Sequence, residues 1–80
     1  MLPVAAELAA LLRLLVDDPA SVQIEEVRDE GVTVFEVRVA PADVGKLVGR
    51  RGRTVRALRS LLAARGERDG AEYDVEVLSD

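Results

Sequence analysis

The sequence predicts an α+β fold in which three helices cover one face of a three-stranded mixed sheet, in the order helix, strand, strand, helix, helix, strand. Apolar residues recur at spacings of three and four over residues 3–16 and again after residue 52, the period of an amphipathic helix. They alternate at period two over residues 32–39 and 73–77, the signature of half-buried strands. A three-residue turn joins the first two strands, which makes them antiparallel, whereas more than thirty residues separate the second from the third and allow a parallel crossover.

In the first helix, Val4, Leu8, Leu11, Leu12 and Leu15 form the apolar stripe on an alanine-rich background. Asp17-Asp18-Pro19 ends it, because proline disfavours helical geometry in the residue before it. Val22, Ile24 and Val27 mark a strand over residues 21–28 whose alternation slips near Glu25-Glu26 and suggests a bulge. Asp29-Glu30-Gly31 supplies the hairpin turn, and residues 32–39 set Thr33, Phe35, Val37 and Val39 on one face against Glu36 and Arg38 on the other. Pro41 suits the first turn of a short second helix, with Asp43 well placed for the helix dipole and Val44, Leu47 and Val48 as its apolar side.

After Gly52 a third helix places Val55, Leu58, Leu61 and Leu62 on one buried face, with Arg53, Arg56 and Arg59 in a stripe largely opposite. Gly66 is the expected C-cap, and Tyr73, Val75 and Val77 belong to the last strand. Gly45, inside the second helix, admits either a packed neighbour or a ligand, with packing the favoured reading.

Composition limits the functions available. Eighty residues form one small domain, which buries about 60–65% of the surface of its unfolded chain. One Phe and one Tyr leave the core aliphatic and offer almost no aromatic platform for stacking bases. The absence of cysteine and histidine removes disulfides, thiolate chemistry, zinc fingers and the usual neutral-pH acid–base residue. The carboxylate pairs Asp17-Asp18 and Glu25-Glu26 have no accompanying ligands, and no P-loop is present. The reading is therefore a non-enzyme with no catalytic residue, metal or cofactor. With no signal peptide and no membrane span expected, a cytoplasmic location fits.

The net charge of −4 conceals a bipolar distribution. Residues 46–68 carry eight basic residues and one acidic, a net of +7, while the remainder carries three basic and fourteen acidic, a net of −11. Such a focused basic patch attracts a polyanion locally while the acidic body disfavours binding elsewhere. At its centre stands Gly49-Arg50-Arg51-Gly52, two glycines framing two arginines between two apolar-patterned segments. The glycines permit close backbone approach and the arginines supply charge where a phosphate would sit.

The run Val44-Gly45-Lys46-Leu47-Val48-Gly49-Arg50-Arg51-Gly52-Arg53-Thr54-Val55-Arg56-Ala57-Leu58 resembles the core of a KH domain, in which an apolar pair precedes G-x-x-G and an apolar-patterned helix follows. The element order is similar to the prokaryotic, type II KH arrangement. With the first helix and its Asp17-Asp18-Pro19 break, the whole of residues 1–80 resembles the small single-KH bacterial RNA-binding proteins of the KhpA family.

That resemblance implies a clamp on about four single-stranded RNA nucleotides. In it Gly49 and Gly52 admit the backbone, Arg50 and Arg51 meet phosphates, and Lys46, Arg53 and Arg56 lie at the periphery. It further implies a post-transcriptional regulator or RNA chaperone that forms a homodimer, or a heterodimer with a larger KH-containing protein involved in cell elongation or division. The alternative is a KH-fold interaction scaffold acting mainly through dimerisation, and the arginines retained in the loop favour RNA.

Overall fold

A computed structural model describes residues 2–79, except for the side chain of Arg50. Helix α1 (Pro3–Leu15) leads through a 3-10 turn (Pro19–Ser21) into β1 (Gln23–Asp29) and β2 (Val32–Arg38). The long helical stretch α2 (Pro41–Asp69) then returns the chain to β3 (Glu72–Val77). The sheet order is β1-β2-β3, with β1 and β2 antiparallel, as the short turn requires, and β2 and β3 parallel, as the long connection allows. Because α2 is divided by a break described below, the helices number three and the order is α-β-β-α-α-β.

The local chemistry explains most boundaries. Pro3 and Pro41 each sit in the first turn of a helix, where the missing N–H has no intrahelical partner to lose. The hairpin turns through Glu30 and Gly31, whose φ values of 50° and 86° give the twist that joins antiparallel strands tightly. The β1–β2 register runs without interruption from Gln23↔Arg38 to Asp29↔Val32, so the bulge expected near Glu25-Glu26 is absent. The slip in alternation has another origin: Glu26 takes a core-side position opposite Phe35, where its carboxylate accepts the Leu2 N–H at 2.7 Å.

The core lies between the helices and one face of the sheet. Phe35 and Val37 of β2 and Val75 of β3 pack against Leu8 and Leu12 of α1 and Leu47, Leu58 and Leu62 of α2. Tyr73 meets Phe35 edge-on, with ring centroids 5.6 Å apart. The other face stays uncovered and rich in carboxylates: Glu25, Glu36 and Glu76 stand in one row across the three strands.

The end of α2 departs from expectation. The helix runs to Asp69 and is capped by Gly70, whose φ of 66° is left-handed, so Gly66 is an interior residue. A Cβ at Gly66 would lie 2.5 Å from the Ala71 carbonyl oxygen, where the chain folds back toward β3. Alanine normally favours a helix interior over glycine by about 1 kcal/mol, but that contact is with backbone and cannot swing away. Gly66→Ala is therefore expected to lose stability, by roughly 1–2 kcal/mol, measured as a lower denaturant midpoint. An unchanged or raised midpoint would show that the turn relaxes freely.

Candidate functional site

Arg51 and Gly52 have φ of 63° and 67°, two successive left-handed residues inside α2, and there the helix axis breaks into two arms. For glycine this conformation is free, whereas a non-glycine residue bears a cost of roughly 1–2 kcal/mol. Strain retained at an exposed arginine is the kind of outlier that accompanies a binding function. Gly49, by contrast, is helical with open space around its Cα, so positive φ at the turn falls on Arg51 and Gly52 rather than on both glycines. Across the break the Thr54 hydroxyl donates to the Lys46 carbonyl at 3.3 Å and ties the arms together.

Beside the turn runs a groove of about 590 Å³ lined by Ala42, Gly45, Lys46, Gly49, Arg53 and Thr54. Gly45 and Gly49 lie one turn apart on its floor, and a Cβ built on either meets nothing within 4 Å. Gly45 therefore opens onto the groove and packs against no neighbouring helix, contrary to the reading favoured from sequence.

The basic residues separate into groups. Arg51, Arg53 and Arg56 are exposed and form no ion pair among the described residues, with Arg53 on the groove and Arg56 beyond its lining. The Arg50 side chain is not among the described groups. Lys46 reaches the groove but is paired with Asp17. Arg59 is turned away, its guanidinium bound to Asp74 at 3.2 Å and to the Val75 carbonyl at 3.4 Å. The arginine stripe thus ends at Arg56. Arg65 is drawn into a separate network with Glu7 and Asp69, whose carboxylate also accepts the Tyr73 hydroxyl at 2.8 Å.

Asp43 stands in the first turn of α2, as the sequence predicts, and also reaches beyond its own helix. Asp43 is buried, 1% exposed, and its two carboxylate oxygens accept the backbone N–H groups of Asp17 and Asp18, each at 3.0 Å. Those hydrogen bonds, led by that from Asp17, hold its pKa below the ordinary 3.8, with Lys46 nearby adding to the effect. Asp43 thereby fastens the segment after α1 to the start of α2, beside the groove. The hydrophobic pattern carried no trace of this partnership, because the donors are main-chain groups more than twenty residues away.

Leu61 departs from the buried face expected for it. It is 58% exposed, while Val55, Leu58 and Leu62 of the same arm are buried. It borders a mostly apolar seam of about 230 Å³ between α1 and α2, lined also by Val4, Leu8, Leu11, Leu58 and Leu62 and by the ion-paired Glu7 and Arg65. Among the described residues no group of acidic side chains could hold a metal ion, and no helix is long and apolar enough to cross a membrane.

A three-stranded β1-β2-β3 sheet under three helices, with a glycine-framed left-handed turn between the last two, defines a KH domain of the type II arrangement. A family model for the KH domain of KhpA/KhpB matches residues 5–77. Proteins named RNA-binding protein KhpA are similar along most of their length. That of Chlamydia trachomatis is 36% identical over 73 residues, covering 91% of this chain and 94% of the relative. That of Treponema pallidum is 39% identical over 71 residues, 89% of each, and that of Aquifex aeolicus 42% identical over 64 residues, 80% of this chain and 81% of the relative. The chain belongs to the KhpA/KhpB KH-domain family, which is not a family of enzymes.

Proposed function

We propose that residues 1–80 act as a single KH unit that binds single-stranded RNA, holding about four nucleotides with their backbone against the turn at 49–52. The observation that carries this reading is the strained left-handed turn bearing exposed Arg51, set directly beside a groove whose floor is Gly45 and Gly49 and whose rim carries Arg53. Side chains on that floor would hold a ribose-phosphate chain away from the helix; glycines let it come close. Arg50, Arg51 and Arg53 meet phosphates in this reading, with Lys46 and Arg56 at the edge. The likeness to proteins named as RNA-binding supports the same assignment.

Fluorescence titration on a short unstructured RNA tests it. Two to four cationic contacts give a log–log salt slope of roughly −1.4 to −2.8, with an affinity of roughly micromolar order. Binding without salt dependence, or preference for a perfect duplex, would overturn the reading.

A site this small selects weakly, so we further propose that the protein regulates or chaperones RNA as a homodimer or beside the KH unit of a larger protein. Pairing two sites raises avidity by about 10²–10⁴ where both engage. The uncovered sheet face offers poor ground for self-association, since its row of glutamates would meet its own like in a symmetric dimer. The apolar seam bordered by Leu61 suits a partner better. In sedimentation at tens of micromolar, roughly the range where such a contact forms, the parent is expected as a dimer and Leu61→Glu as a monomer. A strictly monomeric parent would leave the homodimer without support.

A further inference from the structure

Lys46 is the only lysine in the chain and the one described cation lining the groove that already has a counter-ion. Its partner Asp17 is well exposed, 80% at the side chain, yet is not placed by chance. The Asp17 and Asp18 N–H groups are both held at 3.0 Å by the buried Asp43 carboxylate, and Lys46 lies one helical turn beyond Asp43. One buried side chain thus presents the Asp17 carboxylate to the Lys46 ammonium. Meanwhile Arg51, Arg53 and Arg56 carry no ion pair among the described residues.

We infer that Asp17 is a specificity residue of the groove, its carboxylate standing in for a phosphate at Lys46 until a seated nucleic-acid strand displaces it. This rests on the groove being a phosphate site. A polyanion drawn loosely to the arginine face gains nothing from Lys46, because that charge is already neutralised. Only a strand lying along Gly45 and Gly49 delivers a phosphate close enough to exchange with the carboxylate. The pair therefore lowers affinity for phosphate in general and retains it for a strand in register.

Reductive methylation with ¹³C-formaldehyde labels Lys46 and the α-amine while preserving charge, so one side-chain resonance reports the pair. Asp17→Asn is compared with Asp17→Glu and the parent chain, using a short oligouridine strand in one arm and inorganic pyrophosphate in the other. Asp17→Asn is expected to shift the Lys46 resonance before any ligand is added and to bind oligouridine roughly two- to fivefold more tightly. Its salt slope should steepen by about 0.7, the equivalent of one further phosphate contact. Asp17→Glu is expected to keep parental behaviour.

Unchanged or weaker binding by Asp17→Asn, with an unchanged slope, overturns the inference while leaving RNA binding intact. If oligouridine fails to bind the parent but pyrophosphate moves the Lys46 resonance at lower concentration in Asp17→Asn, the RNA reading falls and the exchange stands. If neither ligand moves it, both fall.

Discussion

Asp43→Asn is expected to lower the melting temperature by about 5–10 °C. The carboxylate offers two acceptor oxygens to two inward-pointing N–H groups, those of Asp17 and Asp18. Asparagine keeps one acceptor and turns an NH₂ donor toward the other N–H, leaving a buried donor facing a donor. The sign of the pH dependence follows from the lowered pKa. A carboxyl whose folded pKa lies below its unfolded value stabilises fully above about pH 4 and loses that contribution as pH falls through the folded value. Thermal melts should therefore show the parent and Asp43→Asn converging in acid and separating toward neutrality. A constant gap across that range would mean the side chain acts through packing instead.

The second large effect falls on binding. Arg50→Asp combined with Arg51→Asp is expected to weaken single-stranded RNA binding by about 10- to 100-fold, because two attractive charges become two repulsive ones at the backbone clamp. The fold should survive. Arg51 is exposed and left-handed, and aspartate tolerates that conformation better than most side chains. Circular dichroism and an electrophoretic shift assay on the same preparation separate the two possibilities. A folded double variant with parental affinity would remove the turn from the interface, and a collapsed one would make Arg51→Asp alone the informative comparison.

Periodicity and turn chemistry determined a good deal by themselves. The six elements, the antiparallel hairpin at Glu30-Gly31, the parallel return of β3 and the core face of β2 all follow from local pattern and connection length, which act through near neighbours. The glycine-framed arginine loop was legible for the same reason, since its chemistry is contained in four consecutive residues.

Distance along the chain marks where legibility ended. Asp43 read as a dipole partner of its own helix, yet its hydrogen bonds cross to Asp17 and Asp18. Arg59 read as part of a basic stripe, yet Asp74 and the Val75 carbonyl claim it from β3. Leu61 matched the buried period and is exposed, because α1 and the sheet cover an arc of the helix narrower than its apolar stripe. Gly45 and Gly66 look alike as helix-interior glycines, but one faces an open groove and the other a backbone carbonyl. Local sequence determined which elements form and where the charge lies. Only the tertiary structure decided which charges remain available and which glycines have room, because those depend on what other segments bring into contact.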